Sequence, residues 1–374
     1  MSPSDAMKTA DVTVIGGGIA GVGVAARLAE ADPSLSIILL EGEDRLAFHS
    51  TGRSAAMYIR NYGPPAIRAL NILSEDVFFN PEGFSDQPLL SPRGEMTLDT
   101  GRSDAFEAYM EGSSGLEIIS GDEARKIVPV LKPDYVRQAA YEADASDIDV
   151  HQLMSSYVTL AKRHGVRIET AHPVSAITKD GQGWRITAGD AVISTAIVVN
   201  AAGAWADHIA AMAGISTVGL VPKRRSAALI PQPDGIDFSR WPLTVPAEED
   251  WYFRPDSGRL MVSPADEDPV EAMDIYPDDM VLAEGLHRFE EATTMTITRV
   301  EHQWAGLRSF VADKNPVLGF APDGDGFFWL AGQGGYGIQT SPAMSALAAA
   351  LVSGQSHSAD DALINMLKPE RFVL

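Results

Sequence analysis

Asp11-Val-Thr-Val-Ile15 runs straight into Gly16-Gly-Gly-Ile-Ala-Gly21 and an alanine-rich stretch to Glu30, and Ser36-Ile-Ile-Leu-Leu-Glu41 follows. A short β-branched run, a glycine turn, helical spacing and a second buried run read as one β-α-β unit. In that unit Gly16 permits the tight turn, Gly18 lets a pyrophosphate approach the backbone, and Gly21 allows the helix to pack closely. Glu41 stands about 20 residues past the last glycine, at the end of the second strand, where a carboxylate accepts hydrogen bonds from a ribose diol. The pattern predicts a dinucleotide site. By itself it does not separate NAD from FAD.

Outward from this unit, the same alternation returns far along the chain. A helix starts near Asp149, a strand covers 166–169, a hairpin turns at Asp180-Gly181, and an apolar strand fills 196–200. A last strand, 327–331, leads through Gly332-Gln-Gly-Gly-Tyr-Gly337 into a helix opened by Ser341 as cap and Pro342 in the first turn. The positive end of that helix can sit at a flavin pyrimidine oxygen, and with a single nucleotide motif at the start of the chain this favours FAD. The intervening segments carry strand-like runs, Pro-rich turns and acidic helices outside any β-α-β rhythm. The fold class expected is therefore α/β plus α+β. A discontinuous, Rossmann-like FAD-binding domain takes 10–60, 148–215 and 308–374, and a smaller antiparallel-sheet substrate domain takes 61–147 and 216–307.

The 374 residues include 29 Lys plus Arg against 51 Asp plus Glu, a formal net charge of −22, so the surface field repels nucleic acid and anionic lipid. With no cysteine in the chain, disulfides, thiolate metal sites, a Cys nucleophile and a Cys-linked flavin are excluded. The eight histidines show no ligand spacing, and no metal is expected. Residues 1–10 lack the apolar core of a secretory signal, and the longest apolar helix candidate, 342–352, is shorter than the roughly 20 residues of a bilayer span. A cytoplasmic address without an integral membrane segment is the expectation, and peripheral membrane contact stays open.

Further stretches carry a family likeness: His49-Ser-Thr-Gly-Arg-Ser-Ala-Ala56, Leu89-Leu-Ser-Pro-Arg93 with Glu95-Met96, Val199-Asn-Ala-Ala-Gly-Ala-Trp205, Pro222-Lys-Arg-Arg-Ser226, Trp304-Ala-Gly-Leu-Arg-Ser-Phe-Val-Ala-Asp313 and Gly334-Gly-Tyr-Gly-Ile-Gln-Thr-Ser341. Spread in order over almost the whole chain, they resemble the D-amino-acid oxidase superfamily of FAD enzymes, and within it the bacterial D-arginine dehydrogenases. The resemblance implies non-covalent FAD and oxidative deamination of a D-amino acid. Hydride passes from Cα to flavin N5, and the imino acid formed hydrolyses to a 2-oxo acid and ammonia. The electron acceptor, oxygen or a quinone-like molecule, is left open.

By the same resemblance Arg225 and Arg308 hold the substrate α-carboxylate, a task that suits guanidinium forks. Tyr62 and Tyr252 close the pocket, Gln339 lies near flavin and substrate, and the Gly306 carbonyl accepts from the substrate nitrogen. Ser54, Ala55, Val174, Gly203, Gly334, Gly335, Tyr336, Gly337 and Ile338 join Gly16, Gly18, Gly21 and Glu41 around the cofactor. Glu95 meets a distal cationic group, so a basic substrate such as D-Arg or D-Lys is expected. The pocket departs from the family pattern at Met57, Ile59 and Leu243, which stand where the resembled enzymes have His, Thr and Met; Val245 lies beside them. Two lost polar groups weaken arginine selectivity and favour lysine-like or large apolar side chains. His49 is read as a loop histidine and not as a covalent flavin link. Two other readings share the motifs: a 2-hydroxy-acid or secondary-amine oxidase of the glycine or sarcosine type, and a non-catalytic flavoprotein.

Overall fold

The computed structural model describes residues 7–232 and 235–372. Residues 1–6, part of the segment on which no secretory signal is expected, lie outside them, as do the last two residues of the first domain's expected third segment. Within the described residues two eight-stranded sheets meet along the central cavity.

The first sheet grows from the strand Lys8–Ile15, which lies parallel to Ile37–Leu40 on one side and to Ala191–Asn200 on the other. Arg167–Glu169 extends it in parallel beyond Ile37–Leu40. The ten-residue strand Ala191–Asn200 changes partner along its length. Its first half pairs with the hairpin strand Gly183–Ala188, up to Trp184 opposite Thr195, and its second half pairs with Phe327–Ala331 from Val198 onward. This hand-over lets the end of the chain return beside its beginning. Helices Ile19–Ala31, Val150–Arg163 and Ser341–Ser353 pack on one face around Val22, Leu28, Leu153, Tyr157 and Leu347. Asp149 caps the second helix by accepting from the Gln152 N–H at 2.8 Å, while Lys162 and Arg163 complement its C-terminal dipole. The third helix differs from expectation at its start. Thr340, not Ser341, occupies the cap position, and the Thr340 hydroxyl donates to the Tyr336 carbonyl at 2.9 Å instead of capping a free N–H.

The second sheet runs in the order His302–Phe310, Val221–Ile230, Arg259–Ser263, Tyr252–Asp256, Leu243–Pro246, Glu95–Asp99, Gln138–Glu142, Glu117–Ser120. It is antiparallel except for Leu243–Pro246 against Glu95–Asp99, where Leu243 faces Glu95 in parallel register. The domain boundary expected between 307 and 308 falls inside His302–Phe310, whose whole length pairs with Val221–Ile230. Strand alternation divides this sheet into two functions. Met96, Leu98, Trp251 and Phe253 turn to a core closed by Phe289 on helix Asp279–Ala292. Their neighbours Glu95, Thr97 and Tyr252 turn to the cavity. A small third sheet of Met57–Tyr58, Ser146–Ile148 and Leu90–Pro92 bonds to the segment that leaves the first domain, with the Ile148 N–H donating to Ala56 at 3.1 Å.

Trp251 anchors the covered face: it stacks on Phe253 at 5.8 Å, meets Phe289 edge-on at 6.0 Å and donates its indole N–H to Tyr135 Oη at 3.0 Å. Trp251→Ala is expected to destabilise the protein by about 3–5 kcal/mol, the range for emptying a large buried aromatic site, measured by urea unfolding.

Candidate active site

A cavity of about 610 Å³ lies between the sheets, bounded at one end by Gly16–Gly18, Glu41 and Val174 and at the other by Glu95, Thr97 and Tyr109. The glycine turn is built for close approach. Gly16 has φ +114°, and a side chain there would strike the Ala201 carbonyl; a side chain at Gly21 would strike the Gly16 carbonyl. Gly21 therefore does not line the cavity and acts by seating the first helix, whereas Gly18 lines it, and a Cβ there would stand 3.2 Å from the Thr51 hydroxyl. The Thr51 hydroxyl accepts the Ile19 N–H at 3.0 Å, and the Glu41 carboxylate accepts from the N–H groups of Gly17 at 2.7 Å and Glu43 at 2.9 Å. A helix N-terminus, bare glycine backbone and a fixed carboxylate suit a pyrophosphate and an adjoining ribose.

Among the cavity-lining residues, Gln339 is 3% exposed and its side-chain oxygen accepts the Ile59 N–H at 3.1 Å, which leaves its buried amide nitrogen as a donor without a partner among the described residues. A buried donor of this kind calls for an acceptor from outside the chain. Together with Ser54, Ala55 and the Gly334–Ile338 turn, it fits the polar edge of a flavin ring.

The two arginines line the same cavity. Arg308 is half-buried and lies against Gly335, where a Cβ atom would sit 2.7 Å from Nη1, and that Nη1 donates to Tyr62 Oη at 3.3 Å. Burial works against its charge, but the phenols of Tyr62 and Tyr252 outweigh this and hold its pKa above that of an ordinary arginine. Among the described residues Arg308 has no carboxylate partner within ion-pair distance. Tyr62 is pushed above the ordinary tyrosine range by burial, partly offset by Arg308; at Tyr252 burial acts the same way, but the charges of Arg308 and Arg225 prevail and its pKa lies lower than usual. Arg225 differs from expectation. Its Nε donates to the Asp266 carbonyl at 2.9 Å and its Nη2 to Glu267 Oε1 at 3.0 Å, so two of the five donors of its guanidinium are engaged and both Nη1 donors and the second Nη2 donor are left for a ligand.

At the far end Glu95 is 2% exposed, accepts from the Thr97 hydroxyl at 2.6 Å and from Tyr109 at 3.3 Å, and has no cationic partner among the described residues. Burial pushes its carboxyl up to about 8 against the pull of those hydrogen bonds. Met57, Ile59 and Leu243 cluster with Ala145 and Tyr62 in a single apolar wall.

The family model described as FAD dependent oxidoreductase, DAO, matches residues 11–351. The chain belongs to the DAO family of FAD-dependent oxidoreductases. Over 335 residues it is 27% identical to a subunit of the anaerobic glycerol-3-phosphate dehydrogenase of Escherichia coli (strain K12), covering 83% of this chain and 59% of that protein. The chain thus spans about three-fifths of that relative's length. Its fold matches glycine oxidase from Geobacillus kaustophilus with a TM-score of 0.80 at 21% identity, over 95% of this chain and 97% of the other. L-alpha-glycerophosphate oxidase from Mycoplasma pneumoniae, solved with FAD bound, matches with a TM-score of 0.81 at 18% identity, over 93% and 95%.

Of the residues expected at the site of this DAO-family chain, all line the cavity except Gly21 and Tyr336. The Tyr336 ring instead packs edge-on behind Tyr62 at 5.0 Å and faces Phe310 at 6.3 Å, so it backs the clamp without reaching the cofactor space. The sequence reading missed Thr51, Thr97, Tyr109, Glu249 and Glu267. Thr97 follows Glu95 by two positions on one strand, a spacing that places both on one face; Thr51 sits inside an already quoted motif; Tyr109 comes from a separate helix and carries no local signal. His49 bonds Glu43 at 2.9 Å through Nε2 and stacks near Trp205 at 4.6 Å. No described helix is long and apolar enough to cross a membrane. Gly16→Ala is expected to yield folded protein with most of its flavin lost, read as flavin absorbance per mole of chain, because the turn tolerates neither the left-handed strain nor the added atom.

Proposed function

We propose that this FAD-dependent oxidoreductase oxidises the Cα–N bond of D-amino acids, with cationic side chains such as those of D-Arg or D-Lys preferred and large apolar ones accepted. The observation that carries the reading is a pair of groups in one cavity that have no partner of opposite sign among the described residues: half-buried Arg308 without a carboxylate and buried Glu95 without a cation. Arg308 keeps its charge and calls for an anion, whereas the buried Glu95 carboxyl stays neutral until a cation comes to pair with it. A ligand with a carboxylate at one end and a cation at the other answers both. The D configuration rests on the likeness of the Lys-Arg-Arg-Ser and Trp-Ala-Gly-Leu-Arg stretches to D-arginine dehydrogenases.

In this reading Arg308 takes the substrate carboxylate in its fork, Arg225 adds to it from its terminal Nη1/Nη2 edge, and the Tyr62 and Tyr252 hydroxyls complete the set. Fixing the carboxylate at two positive groups holds Cα in one attitude, the main contribution a protein makes to such a transfer. FAD, when bound, supplies the two-electron oxidant. The Gly306 carbonyl is the acceptor for the amine, which reacts in its neutral form. Met57, Ile59, Leu243 and Val245 line the side-chain path toward Glu95 and hold off water.

The Glu95 carboxyl must ionise before it can pair with a cation. With its pKa at about 8, a cationic side chain gains affinity as pH rises toward 8 and levels off above it, whereas an apolar side chain favours the protonated carboxyl and loses affinity as it ionises. The ratio of kcat/KM for D-Arg over D-Leu cancels the shared titration of the α-amine. It is expected to rise by up to about tenfold per pH unit from pH 6 to 9; a ratio flat over that range would remove Glu95 from side-chain recognition.

Anaerobic bleaching of the flavin by D- and L-amino acids, glycine, sarcosine and 2-hydroxy acids tests the reading as a whole. Fast bleaching by D-Arg or D-Lys is expected, reduced about 100-fold or more by Glu95→Leu while D-Leu is spared, and reduced about 30-fold or more for every substrate by Arg308→Met. The likeness to glycine oxidase favours a second reading, in which only glycine, sarcosine or hydroxy acids bleach the flavin. No bleaching by any compound would mark a non-catalytic flavoprotein.

A further inference from the structure

Arg225 is held from outside the cavity by a residue that does not touch the cavity. On Val221–Ile230, strand alternation puts Lys223 and Arg225 on one face and Arg224 on the other. The turn from Ala265, φ +52°, to Asp268 runs along this strand, with the Arg224 N–H donating to the Asp268 carbonyl at 2.9 Å. It distributes its three carboxylates by face. Asp266 and Asp268 accept from Arg224, at 3.0 Å and 2.6 Å. Glu267 serves the other face, accepting Arg225 Nη2 on Oε1 and Lys223 Nζ on Oε2, both at 3.0 Å. Neither Glu267 nor Lys223 lines the cavity, whereas Arg225 does.

We propose that Glu267 is a positioning residue for the carboxylate clamp: with the Asp266 carbonyl it holds the Arg225 guanidinium by Nε and Nη2 and leaves its terminal Nη1/Nη2 edge for the ligand beside Tyr252. The proposal rests on the reading of Arg225 and Arg308 as that clamp. Lys223 has a part of its own. A carboxylate paired with Arg225 alone would cancel the positive charge the ligand needs, and the Lys223 ammonium, held above the Phe310 ring at 5.3 Å, restores it. Glu267 stays ionised because the hydrogen bond from Lys223 and the charges of Arg225, Lys223 and Lys314 outweigh the effect of its partial burial.

The experiment uses FAD-loaded enzyme and benzoate, a carboxylate with no oxidisable Cα–H, whose binding is read from the shift in flavin absorbance; D-Leu, which does not call on Glu95, serves for steady-state kinetics. Glu267→Ala is expected to raise the benzoate Kd and the D-Leu KM about tenfold with kcat within about twofold, as loss of one charge-assisted hydrogen bond would do. Glu267→Gln, whose amide oxygen still accepts from Nη2, is expected to restore most of the affinity, and Lys223→Met to weaken it. Benzoate binding to Glu267→Ala as tight as to the parent, or tighter, would overturn the proposal, and so would Glu267→Gln behaving like Glu267→Ala, which assigns the effect to charge alone. Arg308→Met separates the two levels. Should benzoate bind equally with and without the Arg308 guanidinium, the clamp reading fails and this inference with it; should Arg308→Met abolish binding while Glu267→Ala leaves it intact, only the role of Glu267 falls.

Discussion

A half-buried guanidinium that lies against glycine backbone with phenols and no carboxylate beside it among the described residues is the constraint around which the second domain is arranged. Arginine does not escape the low dielectric by losing its proton, so Arg308 must keep its charge where water is scarce. The Tyr62 and Tyr252 hydroxyls give it polar neighbours without neutralising it, and Gly335 lets it lie flat where any side chain would intrude on it. The energy needed to keep this cation unpaired comes from elsewhere: from the Trp251, Phe253 and Phe289 stack behind the same sheet and from the continuous core of the first domain. What is left at the cavity wall is a preformed demand for an anion, satisfied when a ligand arrives.

The two arginines divide the work unequally. Arg308 has one donor engaged, by Tyr62, whereas Arg225 gives two to the turn after Arg259–Ser263. In the proposed clamp, a guanidinium held from behind beside a less tethered one defines an attitude better than two mobile ones, because fewer rotamers must be fixed when the ligand binds. The same division reaches the phenols. Tyr62, with Arg308 as the largest opposing influence on its burial, stays raised, while Tyr252, between both cations, is lowered; the two hydroxyls thus differ as donors within one pocket.

Legibility in the sequence followed the range over which each interaction acts. The β-α-β unit could be read because its parts are local: a strand, a glycine turn whose geometry admits no side chain, and an acid at fixed spacing. Alternation on the second sheet was equally local, and it explains why Glu95 with Thr97 and Leu243 with Val245 share the cavity face. What could not be read required the tertiary fold. Asp266, Glu267 and Asp268 look like a solvated acidic turn until the sheet brings them beside Lys223, Arg224 and Arg225, about 40 residues away; nothing in the run Lys-Arg-Arg-Ser says which arginine faces the cavity or how many of its donors are already taken. Tyr336 was misplaced for the opposite reason, since a motif that brackets the cofactor with glycines does not reveal that the one bulky residue among them turns away to pack on Tyr62.

Glu95 shows how a buried acid can widen a pocket instead of narrowing it. Set in apolar surroundings with Met57, Ile59 and Leu243 nearby, its carboxyl is largely protonated at neutral pH. In that state it presents no charge that an apolar side chain must desolvate, so such a side chain enters without leaving an ion stranded. A cation changes the balance by expelling the proton, at a cost of about 1.4 kcal/mol at pH 7 for a group with pKa near 8, which the new ion pair offsets. Replacing polar neighbours by Met57 and Ile59 raises that cost and lowers the penalty for apolar ligands at the same time. In the proposed function, breadth and cation preference then come from one residue in two protonation states, and the wall around Glu95, more than Glu95 itself, decides which state the ligand meets.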